Sequence, residues 1–171
     1  MDLRRYIRDI PDFPKPGIVF KDITPLLANG QALRWTVDHL SERYRGAVDM
    51  VCGIESRGFI VGAALAYALG VGITIVRKPG KLPAQTFAAQ YELEYGNDML
   101  EIHRDAFGHA TRVLVVDDLL ATGGTAGAAI RLVEHLAGEI VECVFIIELG
   151  FLHGRERLAP RPVYSIVRFD E

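Results

Sequence analysis

The sequence predicts an α/β fold, a mainly parallel, twisted sheet flanked by helices. Three observations predict it. Strand-length apolar runs alternate with helix-length patterns along most of the 171 residues. The clearest run, RVLVVDD at 112–118, stays apolar until it meets two acids, as a strand buried on both faces does. It then passes through a glycine- and threonine-rich loop straight into a helical pattern. A chain of this length makes one domain, 1–171, with its own core.

The elements follow in order. Leu3, Tyr6, Ile7 and Ile10 form the apolar face of a short amphipathic helix. PDFPKPG (11–17) ends it, because its prolines and glycine hold an extended, non-helical segment. The first residues are thus a small N-terminal appendage. QALRWTVDHLSERYR (31–45) places Leu33, Val37, Leu40 and Tyr44 on one helical face, and DMVCGI (49–54) is a short strand. GFIVGAALAYALGVGITIV (58–76) carries no charge and approaches the length of a membrane span. Gly70 and Gly72 divide it and its second part is β-branched, so it reads as a buried helix, 58–69, and a buried strand, 72–77. Residues 86–91 and 99–103 suggest a hairpin-like excursion around YGND (95–98). GTAGAAIRLVEHLAG (124–138) is a helix with Ala126, Ala129, Ile130, Val133 and Leu136 inward and Gly138 as its stop. VECVFII (141–147) and VYSIVRF (163–169) complete the strands. Sheets of this kind bind ligands at the carboxyl ends of their strands.

Composition removes several function classes. A net charge of −3 argues against a general nucleic-acid binder but leaves room for a local cationic pocket. Cys52 and Cys143 sit inside apolar runs and read as buried thiols, not as a disulfide or a metal pair. The opening MDLRRYIRDIPDF lacks the apolar core of a signal peptide, so a cytoplasmic protein without a membrane partner is expected. No G-x-x-x-x-G-K-[ST] is present, and Gly70-Val71-Gly72 lacks the third glycine of a dinucleotide fingerprint.

The chemistry concentrates in VLVVDDLLATGGT (113–125). The strand delivers Asp117 and Asp118 to its carboxyl end. Ala121, Thr122, Gly123, Gly124 and Thr125 then form a loop whose backbone N–H groups, hydroxyls and following helix N-terminus suit a phosphate. Two carboxylates would repel that phosphate; vicinal ribose hydroxyls are donors they can hold, and a hydrated Mg²⁺ is a suitable neighbour. Glycine-rich turn chemistry alone also explains the loop. The paired acids favour a sugar phosphate: phosphate in the loop, ribose over the acids.

VLVVDDLLATGGT resembles the phosphoribosyl-pyrophosphate signature of the type I phosphoribosyltransferases, in the version found in adenine-specific members. Six further segments follow that family's order and approximate spacing: DFPKPGIVFKDITPLL (12–27), GIESRGFIVG (53–62), RKPGKLP (77–83), YELEYG (91–96), LEIHRDA (100–106) and the stretch from ELG to GRERLAP (148–160). The resemblance covers nearly the whole chain. It implies the type I phosphoribosyltransferase fold, with a hood of about residues 1–30 contributing to the base pocket and a flexible lid excursion. The implied activity joins adenine to phosphoribosyl pyrophosphate and releases AMP and pyrophosphate, a purine-salvage glycosyl transfer. Mg²⁺ is the implied cofactor, held mainly by the substrate, with Asp117 and Asp118 able to meet it through water. A homodimer is implied as well.

Site residues carry over position by position. Arg57 lies in the loop that holds pyrophosphate, and a non-proline cis peptide there would be Glu55–Ser56. Arg77, Lys78 and Lys81 supply counter-charge, Lys78 and Lys81 reaching the phosphates. Glu94 matches the candidate general acid or base at the purine, which makes Glu94 and Arg57 the catalytic candidates, and Tyr95 helps close the site. Backbone groups of Val19 and Lys21 read the adenine edge, while Phe20 and Leu149 sandwich the ring. Lys21 stands where arginine is common, and KLPAQT departs from the usual residues after KLP. Singly, these residues have plainer readings: a surface arginine, a solvated basic turn, a glutamate on an exposed hairpin. Two rival functions stay open. One is phosphoribosyl transfer to another base. The other is a non-catalytic regulator that binds the same sugar phosphate, which would need a basic face or an added helix-turn-helix; neither appears in this chain.

Overall fold

The computed structural model describes residues 1–93 and 96–171, with backbone alone at 92, 93, 96 and 97. It divides into two compact units, Met1–Arg43 and Tyr44–Glu171.

In the first unit the expected amphipathic helix is only a 3-10 turn, Leu3–Tyr6, capped by the Asp2 carboxylate, which accepts from the Arg4 N–H at 3.1 Å. The chain then extends as β1 (Arg8–Pro11), antiparallel to β2 (Val19–Asp22). Strand pairing wins over helix here because Pro11 cannot continue a helix and because Arg8 binds its cross-strand partner Asp22 at 2.6 Å. The proline-rich segment is a tight reversal and not an extended run. The Phe13 N–H donates to the Ile18 carbonyl, the Gly17 N–H to the Asp12 carboxylate, and the Phe13–Pro14 peptide is cis. Then come α1 (Thr24–Ala28) and α2 (Gly30–Tyr44), whose entry Asn29 caps through the N–H groups of Gln31 and Ala32. Along α2 the buried residues are Ala32, Thr36, Leu40, Ser41 and Tyr44. Leu33 and Val37 of the expected stripe are half-buried.

The second unit holds the predicted sheet. Its strands are β3 (Met50–Ile54), β4 (Gly72–Val76), β7 (Arg112–Leu120), β8 (Glu139–Leu149) and β9 (Val163–Phe169), in the order β4-β3-β7-β8-β9, every neighbouring pair parallel. The antiparallel pair β5 (Thr86–Leu93) and β6 (Gly96–His103) stands outside it. Helices α3 (Arg57–Leu69) and α4 (Gly124–His135) cover opposite faces. Cys52, Ile54, Val113, Val115, Cys143 and Phe145 cluster with Ala126, Ala129 and Val133 of α4, and with Tyr91, Leu100 and Ile102 of the β5–β6 pair. The alternate residues of the strands turn the other way, where Gly62 of α3 packs so closely that a Cβ on it would lie 3.4 Å from Val51. Burial pushes the Cys52 and Cys143 thiols up to about 12, so both are inert packing groups.

Several elements of this unit differ from expectation. YGND is not a four-residue turn: Gly96, Asn97 and Asp98 already pair with Leu93, Glu92 and Tyr91, because polar residues extend a ladder as well as apolar ones when their backbones meet. Helix α4 ends at His135, and the left-handed residue after it is Ala137, φ 58°, not Gly138. The short α5 (Gly154–Leu158) carries too few residues to show an apolar period and was not expected. The uncharged stretch 58–76 is α3 and β4, and among the described residues no helix is long and apolar enough to cross a membrane.

Gly138 answers to packing. A Cβ there would lie 2.8 Å from a Phe107 ring carbon and 2.9 Å from a Val133 methyl. Gly138→Ala should therefore destabilise the fold by about 1–3 kcal/mol through overpacking, seen as a lower denaturation midpoint with an unchanged denaturant slope.

Candidate active site

The site is built where β3, β7 and β8 end. Strand β7 runs buried from Val113 and brings Asp117 and Asp118 to the sheet's carboxyl edge, both carboxylates buried. Arg57, the first residue of α3, donates its Nε–H to Asp118. The Asp118 backbone N–H donates to the Asp117 carboxylate at 2.9 Å. Burial, and then the neighbouring Asp118 charge, push Asp117 well above the usual carboxylate range. The chain enters α3 through a cis peptide at Glu55–Ser56, the position expected from the sequence. Gly58 permits the close approach: a Cβ there would lie 2.8 Å from the Val116 carbonyl and 2.9 Å from the Asp117 carboxylate.

Beyond β7 the predicted loop forms. Asp117, Ala121, Thr122, Gly123, Gly124 and Thr125 line a concavity of about 80 Å³. That holds one small group, well short of the few hundred Å³ a whole ligand needs. Gly123, at φ 82°, turns the chain into α4, whose N-terminus has no side-chain cap. Uncapped first-turn N–H groups and the helix dipole favour an anion there. The loop is braced from behind: a Cβ on Gly123 would lie 2.7 Å from the Gly154 carbonyl, and one on Gly154 2.1 Å from the Ala121 carbonyl.

The basic segment lies across the same edge. Arg77 grips the Glu55 carboxylate with Nε at 3.1 Å and Nη2 at 3.2 Å, and the Lys78 N–H adds a third bond at 2.9 Å. Burial alone would raise Glu55, but these donors hold it below its ordinary value. The Arg77 backbone exchanges hydrogen bonds with Glu101 of β6, and the Lys78 ammonium sits 2.9 Å from Asp98. Arg77 therefore fastens the segment in place, while Lys78 and the exposed Lys81 are its outward charges. Glu94 and Tyr95 lie outside the described residues.

In the first unit Phe20 meets Phe13 edge-on, ring centroids 5.3 Å apart. With Ile10 and Asp22 they line an apolar hollow of about 220 Å³. Val19 is exposed, and the Lys21 ammonium is held by Asp9 at 2.8 and 2.9 Å. Phe13 was missed from the sequence because only β1–β2 pairing sets it against Phe20. In the second unit Leu149 ends β8, half-buried. Before it stands Glu148, also missed, 2% exposed and gripped by Arg155 through Nε at 3.0 Å and Nη2 at 2.6 Å. Its signal was present: an acid closing an apolar strand, as at Asp117 and Asp118.

The raised Asp117 fixes a pH dependence. A carboxyl whose folded-state value lies above its unfolded value binds more protons in the fold, so it favours folding at low pH. That contribution is lost as pH rises above about 4, the ordinary range. Asp117→Asn removes the ionisation. Without ligand, the variant should gain melting temperature relative to the native chain as pH rises from about 4 toward 8; parallel melting curves across that range would refute the shift.

The phosphoribosyl transferase domain model matches residues 23–167. An adenine phosphoribosyltransferase of Chloroflexus aurantiacus is 60% identical over 169 residues, 98% of each chain. The crystal structure of adenine phosphoribosyltransferase from Thermoanaerobacter pseudethanolicus superposes with a TM-score of 0.95 at 50% identity, covering 98% of each chain. The Saccharomyces cerevisiae enzyme, solved with an imino-altritol bisphosphate and adenine, gives a TM-score of 0.92 at 43% identity over 97% of each chain. Matched by the family model over most of its length and 60% identical to one such relative, the chain belongs to the adenine phosphoribosyltransferases, within the phosphoribosyl transferase domain family.

Proposed function

We propose that the chain transfers the phosphoribosyl group of phosphoribosyl pyrophosphate to adenine, giving AMP and pyrophosphate, and that the residues above divide the work. The observation that carries this is the end of β7: two buried carboxylates next to an uncapped helix N-terminus behind a small concavity. The 5-phosphate occupies the loop 121–125, and Asp117 and Asp118 hold the ribose hydroxyls. Arg57, Lys78 and Lys81 face the pyrophosphate, with Arg77 fixing their segment. Val19 and Lys21 read the base through backbone groups, which agrees with the Lys21 side chain being engaged by Asp9. Phe20 and Leu149 offer apolar surface to a flat heterocycle. The carbon–oxygen bond to pyrophosphate breaks at ribose C1 as positive charge develops on the ring, and adenine N9 bonds to the opposite face with inversion. Glu94 manages the purine proton and Tyr95 helps exclude water.

The donor set suits Mg²⁺ carried by the substrate. Asp117 and Asp118 offer two carboxylates at the strand end, and Mg²⁺ typically takes one or two carboxylates together with substrate phosphates. Asp117 and Asp118 would meet it through water. When bound, it neutralises charge on the departing pyrophosphate.

The chain also acts as a cytoplasmic homodimer in this proposal. Helix α3 and edge strand β4 expose Ile60, Tyr67 and Ile73, Tyr67 at 90%, on a stretch that carries no charge. A second copy would cover such a face.

A base panel tests the reaction. With phosphoribosyl pyrophosphate and Mg²⁺, adenine alone among adenine, hypoxanthine, guanine, xanthine and orotate should yield nucleotide. Turnover of another base would overturn the roles given to Val19, Phe20, Lys21 and Leu149, and donor binding without any turnover would favour the regulator. Glu94→Gln should lower kcat by about 100-fold or more while donor affinity stays within about threefold; an unchanged kcat would remove Glu94 from the chemistry.

A further inference from the structure

Glu148 is the least exposed acid of the described residues, yet the hydrogen-bond partners of its carboxylate include none of the groups assigned to substrate. It closes β8, and its carboxylate gathers donors from two other elements. Arg155 of α5 binds it bidentately at 3.0 and 2.6 Å. The Ser165 hydroxyl of β9 donates to it, and Arg168 Nη1 of β9 approaches at 3.4 Å. Arg155 also donates to the Val163 carbonyl and lies 3.4 Å from Ser165 Oγ. The cluster ties β8, α5 and β9 at one point.

That point lies between two parts of the site. Glu148 immediately precedes Leu149, assigned above to the base. Arg155 immediately follows Gly154, whose backbone is wedged against the phosphate loop so tightly that a Cβ would lie 2.1 Å from the Ala121 carbonyl and 3.1 Å from the Gly123 nitrogen. The segment from Leu149 to Gly154 is therefore pinned at both ends by one ion pair. Near its start the Asp170 carboxylate and the Arg168 guanidinium lie against Gly150, within 2.6 Å of where a Cβ would stand. An ion pair whose acid is buried but whose arginine is 41% exposed adds little net stability. What the bidentate fork adds is a fixed direction and distance, which a hydrophobic contact does not supply.

We propose that Glu148 and Arg155 are positioning residues for the transfer: their ion pair holds Leu149 and the back of the phosphate loop in one register, so that base and donor phosphate are set by the same clamp. This rests on the functional reading above.

The test compares Glu148→Gln, Arg155→Met and the double variant Glu148→Leu/Arg155→Met with the native chain, by melting temperature and by kcat and KM for adenine and for phosphoribosyl pyrophosphate. Each single variant should raise both KM values about tenfold, with a smaller fall in kcat, as expected when reactants are held loosely. The double variant strands no charge and should recover melting temperature, yet keep the raised KM values. Because it does not leave one ion buried alone, it remains informative if the single variants fail to fold. Native KM values in a double variant of native stability would overturn the proposal and leave the pair a fold-stabilising contact. A native chain that makes no AMP would instead strike the functional reading, so the two failures are told apart.

Discussion

Two adjacent carboxylates buried at the end of the central strand are the constraint on which the second unit depends. Asp117 and Asp118 cannot both stay ionised away from water unless a cation comes to them. Arg57 does so from the first turn of α3, and it reaches Asp118 only because that helix approaches β7 closely. Gly58 makes the approach sterically possible. The residual strain appears as proton affinity: Asp117, left without its own cation, is pushed upward.

The same device recurs along the carboxyl edge of the sheet. Glu55 follows β3 and is held by Arg77, which follows β4. Asp118 near the end of β7 is held by Arg57 of α3. Glu148 near the end of β8 is held by Arg155 of α5. Each acid is matched by an arginine from a different element, so each pair is a cross-brace as well as a charge balance. Parallel strands deliver their ends to one edge, and the braces fix how the following loops leave it. The glycines at 58, 123 and 154 belong to the same construction, since each marks a place where backbone meets backbone too closely for a side chain.

Hydrophobic periodicity made the sheet and the long helices legible. Strands 112–118, 141–147 and 163–169 and the helices at 31–45, 58–69 and 124–138 are present within a few residues of where the pattern put them. Where the chain is short or polar the pattern failed. Residues 3–10 have a helical spacing of apolar groups but form one 3-10 turn followed by half of a strand pair, because backbone partners eight to fourteen residues away compete with a short helix that is costly to nucleate. The turn expected across YGND reaches too far along the chain: Asn and Gly are common in turns, whereas here Gly96 and Asn97 lie in the ladder.

The sequence by itself determined the fold class, the glycine loop before α4, the acid pair and the cationic segment, because those depend on residue types at fixed local spacing. Only the tertiary structure decided which charges are spent on which partners. It gave Arg77 to Glu55, set Phe13 against Phe20, tied Lys21 to Asp9 and buried Glu148 under Arg155. These pairings join residues from seven to twenty-two positions apart, and no local pattern encodes them. They follow from the register in which strands and helices meet, and from the free energy of leaving a buried charge alone.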